Sequence, residues 1–394
     1  MGPLDHNHPT AIDTYRDRLP RTPTPWGARG PYRFNTARKP RRQQPSISPD
    51  GNNIHKAQTA TTIHKAQTAI ISMRYITRIM TLAAVCTAIA LMAIITPAGT
   101  SHEEEPEGMT TDILLPTTPV KDQGHTPLCW AYAMLAAIET DRIVVGDSVN
   151  LSPQWIARAY VADQVMEGKA TRPRLSATLP EAFWIMQHYG IVSWDSYKPR
   201  QNMSIALSPL DNISPSASPD VRRRRLERAL DTAFGPPPLS VFMLGAMYTP
   251  LQFAHSIAMP DEWTAYTSIP GQPYGRMVIP DIPDNTRRHK AMNVSPEDML
   301  RIVHKSLSEG HPVAWEGDMK PERPSKVYSL ERQRQQLMNA GLITDDHAMA
   351  IIGTGHNAEG RYLIMKNSWG RTGRYYMTEA EFILSTIMIM ARNT

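Results

Sequence analysis

Beyond residue 99 this 394-residue chain contains a single cysteine, Cys129; the other of its two, Cys86, lies in an apolar run upstream. Whatever the later part folds into is therefore held without an internal disulfide and must be stabilised by core burial. The composition allows this, since 41% apolar and 20% charged residues is the balance of a globular protein with a sizeable core. The length suits one large domain or two ordinary ones. A free thiol in such a chain is either a small packing residue or a group kept unpaired for chemistry. Its neighbours decide between the two.

The first hundred residues are unlike the rest. They hold about 13 of the 42 Lys and Arg and 4 of the 37 Asp and Glu, leaving 29 basic against 33 acidic residues beyond. The pI of 9.1 is thus set upstream and is no argument for a nucleic-acid partner, and none is expected. Residues 1–72 are rich in Pro, Arg, Thr and Gln and repeat Ile54–Ala60 as Ile63–Ala69. They read as disordered, or as an upstream extension translated from the wrong start, with a basic arm for an anionic surface as a weaker reading. Residues 73–99 read as a signal peptide: a positive Met73–Arg78, an uncharged apolar Ile79–Ile95, then small residues around Ala98. The chain is then exported, periplasmic or secreted. A membrane is a partner only if 79–95 stays uncleaved as an anchor. Residues 100–116, acidic from Ser101 to Glu107, read as a linker.

From residue 117 the apolar pattern is that of helices first and strands later. Tyr132, Leu135, Ala136 and Ile138 predict a helix opening at Cys129 and buried on one face. Leu179–Gly190 has Pro near its start and Gly past its end, and Ser295–Gly310 has a Ser cap with acids in the first turn. Val313–Trp315 is a short strand. His347–Ile352 and Arg361–Lys366 are two strands about a Gly353–Gly360 turn, and Tyr375–Met377 and Ile387–Met390 extend the sheet. Helices early and strands late give an α+β fold. The basic run Arg222–Arg225 shares helical spacing with Leu226, Leu230 and Phe234 and reads as a solvated helix face.

Thiol attack on an amide needs a nucleophile, an imidazole within about 3 Å, a group that orients the imidazole, and oxyanion donors. Cys129 at a helix N-terminus supplies the first, with the helix dipole favouring its thiolate and its own N–H available to an oxyanion. Gln123, six residues earlier across a reversal at Gly124 and Pro127, can bring its amide to the same place. His347 heads an apolar strand and is the best base, while His125 and His356 read as exposed turn residues without an orienting partner. Asn367, one hairpin later, can meet the far imidazole nitrogen, with Trp369 shielding that bond.

These residues, in order and wording, resemble the papain-like cysteine peptidases: Gln123…Cys129-Trp130, Leu151-Ser-Pro-Gln154, Asp346-His347-Ala348 and Lys366-Asn367-Ser-Trp369-Gly370. The match is similar within them to the bleomycin hydrolase/aminopeptidase C branch, through Tyr266–Tyr274, Ile282–Asn285 and Val313–Asp318. The 218 residues from Cys129 to His347 exceed the roughly 130–150 of simple papain-like chains, as an insertion at about 205–340 would require.

The resemblance covers about Thr117 to Thr394. It implies a papain-like fold in which a helical subdomain bearing the nucleophile packs on a twisted antiparallel sheet subdomain. By position, Cys129 is nucleophile, His347 acid/base, Asn367 orienter and Gln123 oxyanion donor, with Trp130, Trp369 and Asp346 in support. It implies a thiolate–imidazolium pair, with a thiol pKa of about 3–4 in such settings. No metal or cofactor is implied. The partners expected are peptide or protein substrates and, as in that branch, a homo-oligomer. Thr126 and its neighbours stand where papain-like chains often place a second cysteine. About 20 residues between the signal and Pro119 leave no room for a long inhibitory propeptide. Aminopeptidase-like cleavage is expected from the branch, although its cleft-entering C-terminal arm is matched here only by the few residues after Met390. An open-cleft endopeptidase and an inactive papain-like scaffold are the alternatives.

Overall fold

The computed structural model describes residues 103–166, 173–199, 218–319, 329–341, 343–369 and 372–393. The extension at 1–72 and the signal or anchor at 73–99 lie outside the described residues. In chain order the elements are β1 (Thr110–Leu114), α1 (Cys129–Val144), α2 (Pro153–Met166), α3 (Leu179–Tyr189) and α4 (Pro219–Phe234). A small hairpin of β2 (Val241–Met243) and β3 (Ala246–Tyr248) leads to α5 (Pro250–Ile257), β4 (Trp263–Thr267), β5 (Arg276–Val278) and β6 (Ala291–Asn293). Then come α6 (Pro296–Ser308), β7 (Val313–Gly317), α7 (Leu330–Asn339), β8 (His347–Asn357) and β9 (Gly360–Lys366). The last are β10 (Arg374–Thr378), α8 (Glu379–Ser385) and β11 (Thr386–Arg392).

Nine strands form one sheet, in the order β10-β9-β8-β7-β11-β4-β6-β5, with β1 added along β8. All pairings are antiparallel except β4 with β6. Both faces are covered, and the two-residue strand period sorts the side chains between them. On β8, Ala348, Ala350 and Ile352 join the core under α1, α2 and α3, while Met349 and Ile351 join the core under α6 and α8. The small residues of β8 meet Ala133, Ala136 and Ala137 of α1, which lets helix and sheet approach closely. The expected α+β fold is the one observed.

Several expectations change. Residues 130–141 of α1 are all buried, so this helix is enclosed on every side and not on one face. Neighbouring helices and the sheet leave it no solvent face, a fact that its own periodicity does not contain. The linker at 100–116 is in part β1, held by β8 from His356 to Gly353. The Gly353–Gly360 turn is shorter, because β8 continues to Asn357. His356 accordingly lies on a strand, and its Nδ1 is 3.0 Å from Asp112 Oδ1.

The span assigned to an insertion also divides. Residues 320–328 and 205–217 lie outside the described residues. The α6–β7 portion is no appendage, since β7 pairs with both β8 and β11 at the sheet centre. The Arg222–Arg225 helix behaves as expected: Leu226, Leu230 and Phe234 are buried and Arg224 and Arg225 are exposed. The Ser295 cap forms, with its Oγ accepting the Asp298 N–H at 3.0 Å. Gly190 ends α3 at φ +83°, where a Cβ would fall 2.2 Å from the Pro250 carbonyl carbon.

Candidate active site

α1 begins at Cys129, which ends a loop pinned to the far side of the cleft. The Gln123 N–H donates to Ser368 O at 2.9 Å, and Gly124 turns at φ +58° with its N–H on Asp122 Oδ1. Thr126 and Gln123 tie to one another: Thr126 Oγ donates to Gln123 O at 2.7 Å, and Gln123 Nε2 donates to Thr126 O at 2.9 Å. The Gln123 Oε1 accepts the Ser368 hydroxyl. A carboxamide nitrogen carries two protons, so one N–H of Gln123 remains beyond the Thr126 bond. Thr126 thus fixes the loop by hydrogen bonds at the stretch where the resemblance would have a cysteine.

On the other wall, His347 is 2% exposed at the first position of β8. Its Nε2 lies 2.9 Å from Asn367 Oδ1, which also accepts the Ser368 N–H at 2.8 Å. An oxygen that takes a backbone N–H is an acceptor, so the imidazole is the donor at Nε2 and Nδ1 carries the lone pair. Nδ1 is buried with no partner among the described residues. Trp369 stacks on the ring at 3.9 Å between centroids and 26° between planes.

Both walls line one cleft of about 550 Å³, whose residues include Gln123, His125, Cys129, Trp130, His347 and Trp369. The Cys129 sulfur lies within reach of the backbone N–H groups of Trp130 and Ala348, the latter adjacent to His347. The structure therefore brings Cys129, His347, Asn367 and Gln123 together. Trp130 anchors the helix start, donating from its ring to Leu175 O at 2.8 Å and standing edge-on to Tyr160. Asp346 is exposed and accepts the Met319 N–H at 2.9 Å, which steadies the chain leaving β7. His125 is exposed in its turn.

The electrostatics depart from the sequence expectation. Burial pushes the Cys129 thiol up to about 12, with Glu316 and Asp345 adding and two backbone N–H groups opposing. Burial pulls the His347 imidazole down to about 4, against its bond to Asn367. Taken singly, each group favours its neutral form in these surroundings, the thiol through burial and two carboxylates and the imidazole through burial. Desolvation is the larger cause for the thiol, followed by Glu316 of β7 and Asp345 just before β8.

Those carboxylates are what sequence reasoning missed. Glu316 is 1% exposed on β7, where it sits across from Ala348. Its Oε2 accepts the Leu179 N–H at 2.8 Å, and it hydrogen-bonds Asp345. Its pKa is pushed well up by burial first and by Asp345 next, and that of Asp345 rises to about 6, chiefly through burial. The one available signal was a Glu between Trp315 and Gly317 in an otherwise apolar strand. A second buried set lies beneath the site. Glu139 of α1 bonds Lys121, the Leu151 N–H and the Thr118 hydroxyl, and Lys366, next to Asn367, donates to Thr118 O at 2.7 Å.

No protein-family model matches the chain. Zingipain-2 from Zingiber officinale is 30% identical over 129 residues, 32% of this chain and 54% of that relative, so the chain spans about half of its length. The crystal structure of PepW from Lactobacillus rhamnosis aligns over 72% of this chain and 81% of its own, at a TM-score of 0.54 and 15% identity. Xylellain, a cysteine protease from Xylella fastidiosa, aligns over 76% and 92% at a TM-score of 0.37 and 16% identity. Of these two structures, PepW superposes well enough to bear on architecture. With the helix of Cys129 packed against the sheet that begins β8 at His347, the chain has the papain-like cysteine peptidase fold.

Proposed function

We propose that the chain is a cysteine peptidase that hydrolyses peptide bonds through an acyl-enzyme at Cys129. The observation that carries this reading is the single cleft shared by Cys129, His347 and Gln123, with Asn367 behind the imidazole. The lone pair at His347 Nδ1 is the base, and Asn367 with Trp369 holds the ring. Because each group favours its neutral form, the thiol proton passes to Nδ1 as sulfur attacks the carbonyl carbon. The Cys129 N–H and the remaining Gln123 N–H then meet the oxyanion. His347 returns the proton to the leaving amine, and water, deprotonated by the same nitrogen, releases the acid.

A digest of a peptide library by the full chain and by Cys129→Ala tests this. Turnover lost in the variant with its circular dichroism unchanged is the expected result; cleavage by the variant refutes the assignment. Labelling of Cys129 by a peptide electrophile, lost in His347→Ala, separates this reading from an inactive scaffold.

Aminopeptidase-like cleavage is the finer reading, resting on likeness to the bleomycin hydrolase/aminopeptidase C branch. An endopeptidase is the alternative reading. Equal rates on free and N-blocked peptides would decide for the endopeptidase. Export is supported by the pattern at 73–99 and is tested by sequencing the N-terminus of protein recovered outside the cytoplasm. Among the described residues no helix is long and apolar enough to cross a membrane.

A further inference from the structure

Resting on the peptidase reading, we propose that Glu316 and Asp345 form a cation subsite in the cleft, selecting substrates that carry an ammonium or guanidinium group close to the scissile bond. Four carboxylates, Asp284, Glu316, Asp345 and Asp346, line the cleft beside Cys129, with no Lys or Arg among the lining residues. Two of the four are occupied locally: Asp284 by the Ser176 hydroxyl at 3.1 Å and by Arg174 at 3.9 Å, and Asp346 by the Met319 N–H. Glu316 is different. It is 1% exposed, yet its Oε1 receives no hydrogen bond from a donor group among the described residues. The side chain that Glu316 does meet is a second carboxyl, Asp345.

A buried pair of carboxyls needs either a retained proton or a cation. Without a cation the pair keeps a proton, as the raised pKa values of both carboxyls indicate. Fold maintenance explains only half of Glu316, because a Gln would serve the Leu179 N–H equally well. An incoming ammonium or guanidinium supplies several donors at once, and a guanidinium can bridge both carboxylates. The proton of the pair then leaves to solvent. The position suits such a role: Glu316 faces the helix side of the sheet opposite Ala348, whose N–H reaches the Cys129 sulfur. A bound cation also offsets the negative charge of the pair beside the thiol.

The cation has two sources, a Lys or Arg side chain or a free amino terminus, and calorimetry on full-length Cys129→Ala distinguishes them. Acetylated peptides with Lys or Arg scanned through each position are compared with norleucine counterparts, and a neutral peptide with a free amine is compared with its acetylated form. We expect binding tighter by about tenfold to hundredfold for whichever form carries the cation. That preference should vanish in Cys129→Ala combined with Glu316→Gln, and in Cys129→Ala combined with Asp345→Asn, which does not touch the Leu179 bond. Equal binding of charged and neutral peptides, or a preference surviving both substitutions, overturns the subsite. The same peptides offered to the unmodified chain test the peptidase reading separately. Cleavage without a cation preference sinks the subsite alone, whereas preferential binding without any cleavage sinks the peptidase reading alone.

Discussion

Trp369 stacks on His347 with ring centroids 3.9 Å apart, and the same imidazole makes the 2.9 Å bond from Nε2 to Asn367 Oδ1. Stacking holds the plane of the imidazole while the bond to Asn367 fixes one tautomer of the ring. Trp369→Ala should lower kcat/KM by about tenfold to hundredfold with a smaller change in KM, as expected when a reacting group is less well positioned. Trp369→Phe should recover most of it. Steady-state kinetics on one peptide substrate would check this, and unchanged kinetics in the alanine variant would remove the tryptophan from the site.

Asn367 gives a related expectation. Asn367→Ala removes the acceptor that holds Nε2 as a donor, so the wrong tautomer becomes available and kcat should drop while Cys129 remains labelled, more slowly, by a peptide electrophile. Full activity in that variant would count against the orienting role.

The pH response follows from the buried pair. His347, lowered to about 4, is in its basic form above that pH, so the acid limb of kcat/KM should fall near pH 4 and not near the ordinary histidine value. The Cys129 thiol, raised to about 12, should be alkylated by iodoacetamide ever faster as pH rises through the alkaline range, without levelling off below pH ~10. Asp345→Asn removes one of the charges that hold the proton on sulfur, and alkylation at pH 8 should then quicken several-fold. A rate plateau between pH 5 and 8 in the unmodified chain would instead mean a standing ion pair.

Stability carries the same signature with opposed signs. Asp345 titrates at about 6 folded against 3.8 in the unfolded chain, so the folded state holds the extra proton between these values. Stability from this group is present at low pH and is lost as pH rises through about 6. His347, lowered from 6.5 to about 4, contributes in the other direction, gaining stability as pH rises over that window. Asp345→Asn should therefore raise the free energy of unfolding in urea at pH 8 by on the order of 1–2 kcal/mol, and leave it unchanged below pH ~3.5. An equal effect at both pH values would refute the linkage.

Glu139 makes the strongest structural demand in the interior. It is fully buried and meets Lys121, the Leu151 N–H and the Thr118 hydroxyl. Removing it strands a buried ammonium, so Glu139→Ala should cost about 3–5 kcal/mol in chemical denaturation. The pair of Arg301 with Asp298 lies in solvent, and Arg301→Ala should change stability by less than about 0.5 kcal/mol. Comparable losses from both would mean that the Glu139 network is replaceable.

The sequence by itself determined what depends on near neighbours along the chain. The start of α1 at Cys129, the caps at Ser295 and Gly190, and the apolar strand that opens at His347 are written in residues a few positions apart. The chemistry-bearing residues could be named for the same reason, as each stands in a short distinctive context. Only the tertiary structure decided that β1 lies along β8, that α1 is enclosed on all sides, and that β7, inside the span assigned to an insertion, stands at the sheet centre. It alone decided the proton balance of the cleft. A pKa is set by desolvation and by summed charges at close range, and Glu316 and Asp345 come to Cys129 from segments far away in sequence. Cys129 in its motif announces a nucleophile, whereas the carboxylates that hold its proton become visible only once the chain is folded.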